Sequence, residues 1–295
     1  MTNSMTTQPE GRKVIVGVDT HKYVHVAVAI DTCGIRLGDQ SFVADSGGYR
    51  ALITWASTHG RIEAFGIEGT GSYGAGLAGA VRRAGHRVAE VNRGERRLRR
   101  AGGKSDTLDA EAAARSVLAG QSTATPKTAD GTVEMMRHLK IARDTAVKAR
   151  TTAMVTLKQI VVNAPPGLRE TLQDLADHAL LTCCAGLRPG PLNTPTASAK
   201  HTLRALARRW LALADEIALH DQHLDRLTTE TSPTLREGFG VGAGTAAQML
   251  ILFGDNPDRI RSEAAFAKLC GACPIPASSG RTTWFQQLRS PVLRE

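Results

Sequence analysis

Residues 14–30 read VIVGVDTHKYVHVAVAI. The nearly all-apolar run from Val14 to Val18 predicts a β-strand buried on both faces, and this strand ends at Asp19. After a short polar turn, branched apolar residues alternate strictly from Val24 to Ile30, which predicts a second strand returning beside the first. The stretch therefore predicts a β-hairpin with a carboxylate at the end of its first strand.

The following segments extend this hairpin into an α/β domain. Residues 35–43 predict a third strand, and Gly47-Gly48 opens an amphipathic helix. Another buried strand, residues 64–67, ends at Glu68. A helix through Leu77 and Val81 and a fifth strand at residues 86–91 complete the pattern. Three strands in a meander, then helix–strand–helix–strand and a further helix, predict a mixed sheet.

The second half of the chain predicts long helices. Apolar residues recur at spacings of three and four from Val133 to Val162, and again from Leu203 to Leu227, as in a coiled coil or helical hairpin. These stripes need a partner, which is either the other helix or another subunit. Further on, Gly240 and Gly242 precede a helix, and free N–H groups at such a helix start suit a phosphate, although a plain turn has the same sequence pattern.

Four carboxylates are candidates for a metal site. Asp19 and Glu68 end predicted strands, and they converge at one sheet edge if those strands are parallel neighbours. Asp106 and Asp109 lie three residues apart and share a helix face. Four oxygen ligands of this kind suit Mg²⁺ in a two-metal site for phosphate chemistry. The alternative is structural: Asp106 caps the helix, Asp109 stabilises its first turn and Asp19 begins a turn.

The charge of the chain favours a polyanionic partner. The formal net charge is +9, and no apolar run approaches the roughly 20 residues of a membrane span. The first ten residues lack the features of a secretory signal, so we expect a cytoplasmic protein that does not contact a membrane. A basic run precedes Asp106 and predicts binding to a nucleic-acid backbone; its residues include Arg93, Arg96, Arg97, Arg99, Arg100 and Lys104.

Three motifs together resemble one family. They are residues 17–22 (GVDTHK), 66–71 (GIEGTG) and 104–110 (KSDTLDA), and they resemble the DEDD transposases of the IS110 insertion-sequence family and the Piv/MooV DNA invertases. The C-terminal stretch 240–280 is also similar to the second transposase domain of that family. The resemblance therefore covers nearly the whole chain.

The resemblance implies a fold, a site and partners. It implies a RuvC-like, RNase H-like catalytic domain (residues 1–125), a coiled-coil segment (126–232) and a small, mostly helical C-terminal domain (233–295). Asp19, Glu68, Asp106 and Asp109 would bind Mg²⁺ and act in catalysis. The implied partners are DNA at the element ends and the target, a guide RNA as in some members, and further copies of the chain in a dimer or larger homo-oligomer.

The resemblance also implies a serine nucleophile. In the family a Ser-Gly pair supplies a serine thought to attack DNA, and Ser279-Gly280 matches that pair. By residue type alone Ser278 is an equal candidate. A serine hydroxyl needs a base or a metal to activate it, so Ser279 would have to meet the carboxylates across domains or subunits.

After Gly280 the sequence departs from the family pattern, as if the C-terminal domain were shortened. The expectation is an insertion-sequence transposase that cleaves and transfers DNA strands. Two alternatives stay open: a metal-dependent nuclease or junction resolvase that lacks the serine step, and an inactive remnant that binds DNA.

Overall fold

The computed structural model describes residues 11–91, 105–276 and 285–287, without the side chains of Pro257, 274–276 and 285–287. The chain forms two compact units. Unit 1 comprises Met1–Ala129 and Phe253–Glu295, and unit 2 comprises Asp130–Leu252. The three-domain division at residues 125 and 232 stays a prediction.

A five-stranded mixed sheet forms the centre of unit 1, with the strand order β3-β2-β1-β4-β5. β1 pairs antiparallel with β2 and parallel with β4, while β4 and β5 are parallel. The strands are β1 (Lys13–Thr20), β2 (Val24–Asp31), β3 (Arg36–Val43), β4 (Arg61–Glu68) and β5 (Val88–Val91). This order and these directions are those of an RNase H-like domain, which confirms the predicted fold class.

Helices cover both faces of the sheet, as two separate apolar clusters show. Alternate residues of a strand point to opposite faces. Val16 and Val18 therefore belong to the cluster under α1 (Ser46–Thr58) and α2 (Ala75–Arg83), together with Leu52 and Leu77. Ile15 belongs to the other cluster, under α3 (Asp106–Leu118). By the same alternation Asp19 lies on the α3 face.

Two glycines allow α3 to approach the sheet very closely. A Cβ at Gly17 of β1 would lie 1.9 Å from the carbonyl oxygen of Ala110. A Cβ at Gly66 of β4 would lie 2.9 Å from the carbonyl oxygen of Ala113. Any side chain here would push the helix away. Gly17 and Gly66 therefore fix where α3 begins relative to the carboxyl ends of β1 and β4.

The C-terminal part of unit 1 is small. It contains a 3₁₀ turn (Pro257–Arg259), a helix (Glu263–Leu269) and the antiparallel pair β6 (Pro274–Pro276) and β7 (Phe285–Gln287). The Phe253 and Phe266 rings stack with centroids 4.5 Å apart. The Asn256 side-chain amide donates a hydrogen bond of 3.0 Å to the carbonyl oxygen of Pro126, which ties this part to the chain that follows α3.

Unit 2 is helical, and its two longest helices pack against each other. These are α4 (Thr132–Val162) and α7 (Pro195–Thr231), which confirm the predicted long-helix segment. Their apolar stripes bury Leu157, Leu203 and Leu224 completely. The Arg143 guanidinium on α4 donates to Asp221 on α7 at 2.6 Å. The described helices thus bury much of their stripes within one chain, and subunit association stays a prediction.

Shorter helices complete unit 2: α5 (Pro166–Leu172), α6 (Asp177–Gly186), α8 (Pro233–Arg236) and α9 (Ala243–Phe253). α6 packs against the N-terminal half of α7, and α5 contacts α4, so that Leu172 and Leu181 are buried in one cluster with Leu203. Among the helices that the structure describes, none is long and apolar enough to cross a membrane.

Candidate active site

Asp19 is a carboxylate held at the edge of the sheet and mostly shielded from water. It is the second-last residue of β1, and only 8% of its surface is exposed. Its Oδ2 atom lies 3.1 Å from Nε2 of His21, within hydrogen-bonding distance. Buried carboxylates usually have a partner or bind a metal, because leaving water is costly for the charge. The burial of Asp19 therefore marks this edge as a candidate site.

Glu68 ends the neighbouring strand on the same face of the sheet. β1 and β4 are parallel, with Val18 paired to Ile67, so Asp19 and Glu68 occupy the next position of each strand. Glu68 is 9% exposed. The Thr20 hydroxyl donates a hydrogen bond of 2.9 Å to the backbone carbonyl of Glu68, which fixes the two strand ends to each other. β1 and β4 are thus parallel neighbours, the condition on which the predicted convergence of Asp19 and Glu68 depends, and their joint role in a metal site stays a prediction.

Asp106 and Asp109 belong to the first turn of α3, which begins at Asp106 after the N-cap Ser105. The Ser105 side chain makes no capping hydrogen bond. Half of the Asp106 side-chain surface is exposed. The close contact between Gly17 and Ala110 brings this turn to the end of β1. Helix and strand together therefore place the two aspartates near Asp19.

His21 lies between two of these carboxylates. Its Nε2 atom is 3.1 Å from Oδ2 of Asp19 and 3.5 Å from Oδ2 of Asp106. The possible ligand atoms of Asp19, His21 and Asp106 all lie within 4.8 Å of one another. Glu68 and Asp109 are not part of this three-residue group.

The electrostatics of Asp19 reflect this crowding. Burial raises the pKa of its carboxyl group above the usual value, His21 opposes this effect, and the charges of Asp109 and Asp106 raise the pKa further. The ionised form of Asp19 is therefore disfavoured in the protein alone. A divalent cation would offset the repulsion between the carboxylates, and such a set of oxygen donors suits a hard cation. The residues present thus fit a metal ion.

The structure places some predicted site residues together and leaves others undescribed. Asp19, Glu68, Asp106 and Asp109 all come from the sheet edge or the helix start beside it. Gly240 and Gly242 directly precede α9, and Gly240 has a positive φ of 77°. Outside the described residues lie the predicted serines and most of the basic run: Ser278, Ser279, Arg93, Arg96, Arg97, Arg99, Arg100 and Lys104.

His21 is the site residue that sequence reasoning missed. The local signal is the histidine of the motif 17–22 (GVDTHK), two positions after a strand-end aspartate and in the turn of a hairpin. Such a residue is commonly exposed and without a specific role. Its position beside Asp106 depends on α3, which lies 85 residues later in the chain (106 − 21), and no local pattern reports that distance.

An RNase H-like sheet with carboxylates at this edge is the arrangement that a DEDD catalytic domain has. Residues 16–166 match the family DEDD_Tnp_IS110 (Transposase), and residues 232–294 match the Transposase IS116/IS110/IS902 family. The chain therefore belongs to the IS110 family of transposases. A comparison with curated protein sequences found no match.

Proposed function

We propose that the protein recombines DNA at the ends of an insertion sequence, using Mg²⁺ at the DEDD carboxylates and a serine nucleophile. The observation that carries this proposal is the convergence of Asp19 and Asp106, whose carboxylates both face His21 at the sheet edge. Family membership supplies the reaction class. The ion, the nucleophile and the nucleic-acid partners are the proposed part.

The four carboxylates have distinct parts in the proposed site. Asp19 and Glu68 are held rigidly by paired strands, and the hydrogen bond from Thr20 fixes the strand ends. Asp106 and Asp109 come from the first turn of α3, which covers the face of the sheet on which Asp19 lies. When bound, Mg²⁺ would stabilise charge on the scissile phosphate and lower the pKa of an attacking hydroxyl. The protein's contribution is to hold oxygen donors at fixed positions and to exclude water around Asp19.

The proposed nucleophile is Ser279, which lies outside the described residues but within the matched range 232–294. In the cleavage step its Oγ forms a bond to phosphorus, and the bond from phosphorus to one sugar oxygen breaks. The serine proton passes to a base, which returns it to the departing sugar oxygen, so that the sugar leaves as a hydroxyl. A DNA hydroxyl then attacks the phosphorus of the phosphoserine link, the P–Oγ bond breaks, and the proton of the attacking hydroxyl returns to Oγ, which joins the strands and restores the serine.

Features of the described chain near the site suit a DNA backbone. Lys22 and Tyr23 follow His21 in the turn between β1 and β2, and the Tyr23 side chain is 71% exposed. The Lys22 ammonium lies 4.9 Å from the centre of the Tyr23 ring. Cations and exposed aromatic rings together bind phosphate and stack on bases. The basic run before Asp106 adds charge of the same sign next to the site in sequence.

Two further partners complete the proposal. A structured RNA encoded by the element ends would select the DNA, as the family resemblance implies. A homo-oligomer would bring Ser279 of one chain to the carboxylates of another. The exposed apolar residues of the long helix α4, such as Met135, Ile141 and Val155, offer contact area for such an assembly.

The test is a plasmid recombination assay with the full chain, the element ends and their flanking DNA. Asp19→Asn and Ser279→Ala should each abolish recombination, while Ser278→Ala, the matched neighbour, should retain it. Recombination that survives Asp19→Asn contradicts the metal site. DNA cutting that persists without recombination in Ser279→Ala, together with full cutting by the unaltered chain, would favour a resolvase. DNA binding with neither activity would favour an inactive remnant.

A further inference from the structure

The turn between β1 and β2 places an imidazole, that of His21, beside the carboxylates of the site. His21 follows β1 directly, and its backbone N–H donates a hydrogen bond of 3.2 Å to the carbonyl of Val24. This hydrogen bond closes the turn and fixes the direction in which the residue leaves the strand. The ring then reaches back over the strand end, with Nε2 towards Asp19 and Asp106.

The distances suit ligands that share one ion. Ligand atoms about 2.1 Å from a metal are roughly 3 to 4 Å from each other. The two separations from His21 Nε2, of 3.1 Å and 3.5 Å, fall in this range. The ring is also accessible, since 46% of the His21 side-chain surface is exposed. An ion that entered from solvent would therefore meet the nitrogen and the two carboxylates together.

We propose that His21 is a direct nitrogen ligand of the ion held by Asp19 and Asp106. The inference rests on the proposed metal site and adds a ligand to it. Imidazole binds Mn²⁺ and other transition metals readily, whereas Mg²⁺ prefers oxygen. The site therefore binds Mn²⁺ more tightly than Mg²⁺, and this preference depends on His21.

The competing explanation is that His21 only orients Asp19 through a hydrogen bond. Metal-ligating groups commonly have such partners. The two roles differ in one physical respect: a direct ligand places its nitrogen in contact with the ion. Mn²⁺ reports that contact, because its unpaired electrons couple to a coordinated ¹⁴N nucleus.

The experiment uses the full chain with Mn²⁺ as the probe, followed by pulsed electron paramagnetic resonance and by competition with Mg²⁺. The unaltered chain should show ¹⁴N coupling of a coordinated imidazole. His21→Gln should lose the coupling and bind Mn²⁺ about tenfold more weakly or worse, with a smaller change for Mg²⁺. His223→Gln, an exposed histidine on α7, is the matched control and should behave like the unaltered chain.

The outcomes separate this inference from the proposed function. Bound Mn²⁺ without ¹⁴N coupling in the unaltered chain overturns the ligand role of His21 and leaves the carboxylate site standing. Coupling that persists in His21→Gln overturns it as well. Full Mn²⁺ binding by Asp19→Asn overturns the metal site itself. Because the first result needs no substitution, misfolding of a variant does not affect it.

Discussion

Gly17 of β1 and Ala110 of α3 approach so closely that no side chain fits between them. A Cβ at position 17 would lie 1.9 Å from the carbonyl oxygen of Ala110 and 2.4 Å from the amide nitrogen of Ala114. The contacting atoms are backbone atoms, which cannot move aside as the end of a flexible side chain can. The distance between β1 and α3, and hence between Asp19 and Asp106, depends on this glycine.

Gly17→Ala should therefore disturb stability and the site together. Overpacking of this kind costs about 1–3 kcal/mol, and relief requires α3 to shift. We expect a lower melting temperature and weaker Mn²⁺ binding, measured by calorimetry and titration. Gly167→Ala in α5 is the control, because a Cβ there meets nothing within 4 Å. Equal Mn²⁺ affinity in Gly17→Ala and the unaltered chain would show that the position of α3 does not determine the geometry of the metal site.

Asp19→Asn should stabilise the metal-free protein while it abolishes metal binding. The folded-state pKa of Asp19 is raised by burial and, despite His21, by Asp109 and Asp106. The protonated carboxyl group therefore contributes stability at low pH. This contribution is lost as the pH rises from the ordinary pKa of the group, 3.8, through its higher folded-state pKa.

The measurement is the free energy of unfolding against pH, without metal, for the unaltered chain and Asp19→Asn. The free energy of unfolding of the unaltered chain should become smaller than that of Asp19→Asn as the pH rises above about 4. Divalent metal should reverse the order at neutral pH, since it binds only the carboxylate form. Parallel curves for the two proteins would contradict the raised pKa.

We expect His25→Phe to lose less stability than the unaltered chain when the pH becomes mildly acidic. His25 is fully buried on the face of the sheet opposite to Asp19. Its ring stacks on that of Tyr49 at a centroid distance of 5.6 Å. Neither ring nitrogen makes a well-formed hydrogen bond with the described residues. Burial lowers the pKa of His25, the Val24 backbone partly opposes this effect, and the nearby charge of His21 makes a smaller contribution that lowers the pKa further.

Because the folded pKa is depressed, the unfolded chain takes up a proton first as the pH falls below about 6.5. Stability should therefore decrease between pH 7 and pH 5 in the unaltered chain, and decrease less in His25→Phe. Phenylalanine keeps the stacking and removes the buried polar atoms, which leaves the variant more stable by about 1–3 kcal/mol. An identical pH slope in both proteins would refute this account.

Leu203→Ala should destabilise the helical unit by about 2–5 kcal/mol, because Leu203 is fully buried between α7 and its neighbours. The control lies on the same helix: Leu219 is 53% exposed, and Leu219→Ala should change stability by at most about 0.5 kcal/mol. Thermal unfolding of the full chain measures both. A comparable loss in the two variants would contradict the assignment of Leu203 to the core of unit 2 and of Leu219 to its surface.

The sequence predicted the sheet and the helix order well because these are local patterns. The apolar run 14–18 and the alternation from Val24 to Ile30 each encode a strand without help from distant residues. The fifth strand was predicted too long, at residues 86–91 instead of Val88–Val91. His86 belongs to the turn that follows α2, where its N–H donates to the carbonyl oxygen of Val81 and Gly85 has a φ of 82°.

The candidate site was predicted only in part, because part of it is set by distant packing. Strand-end positions indicated Asp19 and Glu68 as candidates, and helix spacing paired Asp106 with Asp109. Nothing local indicated that Gly17 admits the backbone of α3, or that this contact leaves His21 between two aspartates. The pairing of parallel strands and the distance between α3 and the sheet depend on tertiary structure. A local sequence pattern therefore cannot report them.

The hydroxyl of Thr20 joins two strand ends without contributing any charge to the cluster. Copies of mobile elements accumulate substitutions once selection on them stops. A copy that keeps all four acidic residues but replaces Thr20 or Gly17 would be classed as intact in an alignment of the acidic motifs. Scoring these two small residues beside the acidic ones would separate decaying copies from those still able to move.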